Sequence, residues 1–113
     1  MTLQELAKGL DVEVLTGDAK LEREIAGGYV SDLLSDVIGN AKEGFVWITF
    51  QVHMNIVAAA SLKGLAGIIL VNGRRPPQDT LQKASEENVI IMTTPLPAFE
   101  VVGRLYELGL RCR

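Results

Sequence analysis

The sequence predicts a single α/β domain over residues 1–113, three-layered, with a mainly parallel sheet of about four to five strands flanked by helices. Two observations carry this prediction. From residue 25 to residue 110, β-prone runs alternate with helical patterns through short connections, which is typical of parallel sheets joined by right-handed crossovers. The segment AGIILV, residues 66–71, is uniformly apolar and rich in β-branched side chains, as are strands buried on both faces of a sheet.

Residues 1–24 are predicted to form an N-terminal helix and an edge strand. Thr2 and Glu5 have the spacing of a capping box, which starts a short helix. Residues 11–15 alternate polar and apolar side chains, the pattern of a half-exposed strand. Residues 16–18, Thr-Gly-Asp, predict the turn that follows it.

The β-α repeat core begins with a predicted strand at residues 25–30. Its glycine pair, Gly27 and Gly28, indicates a bulge or the close approach of another backbone. Ser31 or Asp32 is predicted to cap the helix that follows. The inward face of that helix is predicted to carry Leu33, Leu34, Val37 and Ile38.

The rest of the core continues the same alternation. Residues 45–50 predict a buried strand, and residues 55–63 predict a helix with almost no polar face. Such a helix is covered on more than one side, either by its neighbours in the domain or by a partner subunit. A strand at 67–71, a proline-initiated helix to about residue 87 and a strand at 89–92 follow. The last helix, to about residue 108, is predicted to carry Phe99, Val102, Leu105 and Tyr106 on its packing face.

Composition and charge bear on the class of protein. Eleven Lys and Arg against 14 Asp and Glu give a net charge of −3, so no general attraction to nucleic acid or anionic membrane is expected. No apolar tract reaches the ~20 residues of a membrane span. The single cysteine, Cys112, suits a reducing compartment, and the first residues lack the pattern of a signal peptide. We therefore expect a cytoplasmic protein with no nucleic-acid or membrane partner.

The candidate ligand site is the carboxyl edge of the predicted sheet, where open parallel sheets bind their ligands. Four turns open there, and three lead directly into helix N-termini, whose free N–H groups and dipole favour an anion. The adjacent Arg74 and Arg75 would complement a phosphate or carboxylate. The candidate ligand-binding residues are Ser31, Asp32, Gln51, His53, Asn55, Asn72, Gly73, Arg74, Arg75, Thr93 and Thr94.

Several of these residues also have a purely structural interpretation. His53, the only histidine, suits a ligand donor or general base, or caps the helix that it precedes. Arg74 and Arg75 suit an anion site or a solvated turn. Asn72 and Gly73 predict a turn in the left-handed conformation, which both residues tolerate, with or without a ligand.

No complete catalytic or metal-binding set is expected. One histidine and a near-terminal cysteine do not supply the ligands of a zinc site. The glycine-rich signatures of dinucleotide-binding and P-loop proteins do not occur. We therefore expect no cofactor, no metal and no catalytic residues. An enzyme that uses His53 with Asp32 is the weaker alternative.

Residues 25–110 resemble the DRTGG domain family. The segments that carry the resemblance are GYVSDLLS from residue 28, EGFVWIT from residue 43, GIILVNGRRPP from residue 67 and ENVIIMTTPLPAFE from residue 87. The family is similar to the N-terminal domain of HPr kinase/phosphorylase, which carries no kinase site. The resemblance implies an α/β regulatory or oligomerisation module, often dimeric, with adenine-nucleotide control in some contexts.

The naming motif of the family is largely replaced in this chain. The Asp-Arg pair aligns with Val52 and His53, and the Thr-Gly-Gly triplet aligns with Val71, Asn72 and Gly73, so that only Gly73 is retained. The leading hypothesis is a non-catalytic, homodimeric regulatory module that senses a nucleotide or another small anion. The alternative is a protein-interaction or oligomerisation adaptor in a larger regulatory or redox-enzyme system, with no small ligand.

Overall fold

Ten helices and strands build the part of the chain that the structure describes. The structure, a computed structural model, describes residues 1–16 and 21–113. Gly17 and Asp18 of the predicted turn lie outside these ranges. The elements in chain order are α1 (Leu3–Gly9), β1 (Glu13–Thr16), β2 (Gly27–Val30), α2 (Leu34–Asn40), β3 (Phe45–Thr49), α3 (Asn55–Lys63), β4 (Gly67–Leu70), α4 (Gln78–Glu86), β5 (Ile91–Thr93) and α5 (Ala98–Glu107).

The strands form one sheet in the order β1-β5-β4-β3-β2. The four strands from β2 to β5 are parallel, and β1 pairs antiparallel with β5 at one edge. The parallel sheet with an N-terminal edge strand is therefore confirmed. Within the described ranges, no helix has the length and apolar character that crossing a membrane requires.

Helices cover both faces of the sheet. Trp47, Ile68 and Ile91 pack on one face with side chains from α2, α3 and α4. Val46 and Ile69 pack on the other face with side chains from α1 and α5. Successive strand residues point to opposite faces, so the fully buried β3 and β4 feed both cores. The predicted three-layered architecture is confirmed.

The predicted start of α2 is wrong. Leu33, and neither Ser31 nor Asp32, is its N-cap residue, and no side chain caps the helix. The inward face is also narrower than predicted, because Val37 is fully buried while Leu33 is 64% exposed and Ile38 is 39% exposed. Asp32 is not available as a cap because its carboxylate is bonded to β3 and the loop after it.

The predicted packing face of α5 is only partly right. Val101 and Leu105 are buried, whereas Phe99 is 90% exposed and Tyr106 is 58% exposed. Val101 and Leu105 are four residues apart and so lie one above the other on the helix. Phe99 and Tyr106 belong to an adjacent apolar stripe of the helix, which faces away from the sheet.

The glycine pair of β2 makes room for the C-terminal segment. The N–H group of Gly28 donates to the carbonyl of Arg111 at 3.0 Å. A Cβ atom on Gly27 would lie 2.4 Å from that carbonyl oxygen and 2.7 Å from the ring of Phe45. The predicted close approach of another backbone is thus confirmed.

Arg23 closes the end of α3 through a contact that the sequence pattern did not indicate. Its Nη1 donates to the carbonyl of Leu65 at 3.0 Å, and its Nη2 donates to the carbonyl of Gly64 at 2.7 Å. These carbonyls lie at the negative end of the α3 dipole, where a cation is favoured. We expect Arg23→Ala to lower the free energy of unfolding by about 1 kcal/mol, measured by urea denaturation. An equal loss in Arg113→Ala, at an exposed C-terminal arginine, would contradict this account.

A small polar cluster beside β2 predicts how stability depends on pH. Hydrogen bonds with Ser31, Tyr29 and Asn40 lower the pKa of Asp36 below its ordinary value of 3.8. The bond to Asp36 raises the pKa of Tyr29 above 10.0. The contribution of Asp36 is therefore present above pH 3.8 and is lost as the pH falls through its lowered pKa. That of Tyr29 is present below pH 10 and is lost as the pH rises through its raised pKa.

We expect Asp36→Asn to reduce the dependence of the free energy of unfolding on pH at both the acidic and the alkaline end. Urea denaturation across the pH range measures this dependence. Asp11→Asn, which removes an exposed carboxylate outside the cluster, is the matched control. A profile of Asp36→Asn that superimposes on that of the unaltered chain would show that the cluster does not contribute.

Candidate functional site

The carboxyl ends of β2, β3, β4 and β5 lie together at one edge of the sheet, as predicted for the four polar turns. Two hollows open at this edge. The first, which we call the Asp32 hollow, has a volume of about 170 Å³ and is lined by Val30, Asp32, Thr49, Phe50, Val71, Asn72 and Ala98. The second, the Arg75 hollow, has a volume of about 270 Å³ and is lined by Asp11, Val12, Glu13, Gly73, Arg75, Thr93, Thr94 and Pro95.

Asp32 holds the first two loops of the edge together. Its Oδ1 accepts hydrogen bonds from Thr49 Oγ1 and from the N–H group of Phe50, both at 2.8 Å. The amide of Gln51 returns a bond to the Asp32 carbonyl at 3.1 Å. Both carboxylate bonds go to Oδ1, and Oδ2 accepts no hydrogen bond from the described residues. Asp32 thus offers one preorganised acceptor for a hydroxyl or N–H donor of a ligand.

Trp47 fixes the loop that carries Asp32. Its side chain is fully buried, and its Nε1 donates to the carbonyl of Ser31 at 2.8 Å. The sequence predicts a buried strand at residues 45–50, and the burial of Trp47 agrees with that prediction. The same side chain therefore stabilises the core and positions one wall of the hollow.

The Asn72-Gly73 turn separates the two hollows. Asn72 has a φ of 56° and Gly73 a φ of 67°, which confirms the predicted left-handed turn. The N–H of Asn72 donates to the carbonyl of Leu96 at 3.0 Å, and that of Gly73 to the carbonyl of Thr94 at 2.7 Å. These N–H groups are therefore used within the protein. An anion at this turn would have to be bound by side chains and not by a nest of free backbone N–H groups.

The two adjacent arginines point to different partners. Arg75 forms an ion pair with Glu13 of β1 in the Arg75 hollow. Arg74 is half-buried, and its guanidinium lies over the ring of Phe50, 4.1 Å from the ring centroid. No carboxylate of the described residues pairs with Arg74. The structure does not bring the arginines together as one clamp, and Arg74 is the one whose charge remains available beside the Asp32 hollow.

His53 contacts the first turn of α3, whose N-cap residue is Met54. Its Nδ1 accepts a hydrogen bond from the N–H of Asn55 at 3.1 Å. Asp32, its suggested catalytic partner, is bonded to Thr49 and Phe50 instead. The structural interpretation of His53 is the one that this hydrogen bond supports.

The hydroxyl groups at the edge are engaged in loop contacts. Ser31 Oγ accepts from the N–H of Leu33 at 3.1 Å. Thr93 Oγ1 donates to the carbonyl of Arg74 at 2.6 Å, and Thr94 Oγ1 accepts from the N–H of Leu96 at 3.2 Å. Thr94 is fully buried and forms part of the wall of the Arg75 hollow.

Sequence reasoning missed two residues of the Asp32 hollow. Thr49 was assigned to a buried strand, and it is indeed only 1% exposed, but its hydroxyl orients Asp32. Phe50 was assigned to the same strand, although it lies just beyond β3 and is 40% exposed. A large aromatic ring at the last position of an apolar run, next to a polar turn, is the signal that could have identified it.

The family model of the DRTGG domain matches residues 5–108. The chain belongs to the DRTGG domain family. A comparison with curated protein sequences finds no match. Among solved structures, the chain is similar to the crystal structure of the CBS and DRTGG domains of the regulatory region of Clostridium perfringens pyrophosphatase, complexed with the activator diadenosine tetraphosphate. The two share 19% sequence identity with a TM-score of 0.78.

The similarity covers 98% of this chain and 48% of the pyrophosphatase chain. The DRTGG domain described here thus spans about half the length of that structure. Within this domain, the segments aligned with the naming motif, Val52-His53 and Val71-Asn72-Gly73, lie in the loops after β3 and β4. The second of these loops forms part of both hollows.

Proposed function

We propose that this DRTGG domain is a non-catalytic regulatory module of the cytoplasm that senses a nucleotide at the Asp32 hollow. The observation that carries the proposal is that two groups occur at this edge of the sheet. One is the oriented carboxylate of Asp32, and the other is Arg74, which has no acidic partner in the described ranges. The Asp32 carboxylate lines the hollow and would accept a hydrogen bond from a sugar hydroxyl. Arg74 would attract the phosphate groups, because a guanidinium is a strong partner for phosphate oxygens.

Phe50 and Asn72 would provide further contacts for a nucleotide base. Phe50 has one face under Arg74 and is 40% exposed, which suits contact with a planar base. Asn72 carries both a donor and an acceptor and is exposed at the rim. The activator bound by the pyrophosphatase regulatory region is an adenine dinucleotide, which favours adenine nucleotides as the first compounds to test.

A thermal-shift panel tests the proposal. The compounds are diadenosine tetraphosphate, ATP, AMP and UMP, with inorganic phosphate as the reference anion. A nucleotide present at ten times its Kd is expected to raise the free energy of unfolding by about 1.4 kcal/mol. Arg74→Ala is expected to abolish the shift caused by polyphosphate nucleotides, each variant being compared with its own unliganded baseline.

Arg104→Ala is the matched control, because Arg104 is an exposed arginine of α5 that is paired with Glu100. It should leave the nucleotide shift unchanged. The proposal fails if no nucleotide shifts the transition, or if inorganic phosphate shifts it as much as the nucleotides do.

The second candidate function is self-association or adaptor binding through the α2 and α3 layer. Leu62 of α3 is 71% exposed, and Met54, just before α3, is 38% exposed. Leu33 and Ile38, at the neighbouring α2, are 64% and 39% exposed. Exposed apolar side chains on adjacent helices are characteristic of protein interfaces, and they support the proposal that the domain forms a homodimer.

Light scattering coupled to size-exclusion chromatography tests the homodimer. Leu62→Lys is expected to convert a dimer to a monomer without unfolding it, because the side chain is largely exposed. Lys8→Leu or another remote surface change should leave the mass unchanged. A monomeric mass for the unaltered chain across the accessible concentration range would contradict the homodimer.

A further inference from the structure

A groove between β2, α5 and the C-terminal segment adjoins the Asp32 hollow, with which it shares Val30. This groove, which we call the β2 groove, has a volume of about 260 Å³. Its walls are apolar, with Val30 and Ile48 from the sheet side and Val102 and Leu105 from α5. An apolar cavity of about 150 Å³ is large enough for benzene, so the β2 groove has room for a larger apolar group.

A fixed positive charge stands at the mouth of the β2 groove. The Nη1 atom of Arg111 donates to the carbonyls of Tyr106 and Leu110 at 2.9 and 2.8 Å. The guanidinium also stacks on the Tyr106 ring, 3.6 Å from its centroid, and the Arg111 carbonyl is anchored by the N–H of Gly28. The side chain is thereby held in one orientation by contacts at both of its ends.

The charge of Arg111 has no acidic partner in the described part of the chain. None of the ion pairs there includes Arg111, and its Nε and Nη2 atoms donate no hydrogen bond to the described residues. A planar guanidinium with free N–H groups is suited to a carboxylate. An oriented cation at the mouth of an apolar groove is complementary to a molecule with an apolar body and one anionic end.

We propose that the β2 groove binds a small amphiphilic monocarboxylate, with its apolar body against Val102 and Leu105 and its carboxylate on Arg111. The charge of the arginine selects the anionic end, and the groove selects the apolar body. The site shares no lining residue with the Asp32 hollow except Val30. The proposal of a ligand in the β2 groove therefore does not rest on the proposed nucleotide site.

Calorimetric titration with decanoate, kept below its micelle-forming concentration, tests this proposal. Decanol is the uncharged analogue. We expect saturable binding of one decanoate per chain, and binding of decanol that is weaker by about tenfold or more, because a charge-assisted hydrogen bond is lost. Arg111→Gln should lower the affinity for decanoate to that for decanol and leave the affinity for decanol unchanged. Arg104→Gln, at an exposed position of α5, should change neither affinity.

Cys112 provides a readout of location, because it lines the groove and is exposed. Decanoate should slow its alkylation by N-ethylmaleimide in a saturable manner. Val102→Thr is a nearly isosteric change in the wall of the groove and should weaken the binding of decanoate several-fold. This variant tests the proposal even if Arg111→Gln disturbs the C-terminal segment. Equal affinities for decanoate and decanol, or an absence of saturable binding, would overturn the proposal. Protection of Cys112 that grows with protein concentration alone would also overturn it, since a second copy would then be the occupant.

Discussion

Replacing Asp32 by alanine is expected to lower the free energy of unfolding by about 3 kcal/mol and to abolish nucleotide binding. The carboxylate accepts from both Thr49 Oγ1 and the N–H of Phe50, and hydrogen bonds to a charged group contribute about 1.5–3 kcal/mol each. Thr49 is 1% exposed, and its hydroxyl loses its acceptor when the carboxylate is removed. The partial exposure of Asp32 itself limits the total.

Asp32→Asn is the matched variant. Its amide oxygen can still accept hydrogen bonds from both groups, so we expect less than half of the loss of stability seen with alanine. The negative charge that a sugar hydroxyl would meet is nevertheless removed. Urea denaturation measures the stability of both variants, and the thermal-shift panel measures their response to nucleotides. If Asp32→Ala unfolds at the same urea concentration as the unaltered chain, Asp32 does not hold the loops together.

Replacing Gly27 by alanine is expected to cost about 2–3 kcal/mol, near the upper end of the range for overpacking. The new Cβ would lie 2.4 Å from the carbonyl oxygen of Arg111 and 2.7 Å from Phe45 Cε1. The ring of Phe45 is buried in the core, so the C-terminal segment is the part that can move away. The same movement should speed the alkylation of Cys112 and weaken decanoate binding in the β2 groove.

Gly103→Ala is the control, and it is expected to change the free energy of unfolding in the opposite direction. Gly103 lies inside α5, and nothing lies within 4 Å of the position that its Cβ would take. Alanine is favoured over glycine in a helix by about 0.5–1 kcal/mol, so this variant should be slightly more stable than the unaltered chain. A Gly27→Ala variant that is as stable as Gly103→Ala would contradict the close packing of the C-terminal segment on β2.

The fold could be predicted because its signals are local. The apolar helix was predicted at residues 55–63, and α3 spans Asn55–Lys63. The strand predicted at 67–71 is β4, Gly67–Leu70, and its uniform apolar character reflects burial on both faces. The errors concern which face of a helix packs inward. Phe99 and Val101 are close along the α5 sequence, and a hydrophobic pattern alone does not say which of them meets the sheet.

The site could be predicted only as a region. The carboxyl edge follows from strand direction, which the alternation of strands and helices fixes. The separate orientations of Arg74 and Arg75 depend on Phe50 and on Glu13, and Glu13 is 62 residues away from Arg75 in the chain. Asp32 was expected to cap a helix, whereas it bonds across to β3 and the loop after it, because β2 and β3 are neighbours in the sheet. Such contacts between distant segments leave no periodic trace in the sequence.

The central claim is that the Asp32 hollow binds a nucleotide, and an NMR titration of the backbone amides with diadenosine tetraphosphate tests it most directly. We expect saturable chemical-shift changes that centre on Asp32, Phe50, Asn72 and Arg74, and we expect them to vanish in Arg74→Ala but persist in Arg104→Ala. Amide shifts that do not saturate, or that centre on the residues of the β2 groove and leave the carboxyl edge unchanged, would contradict the claim.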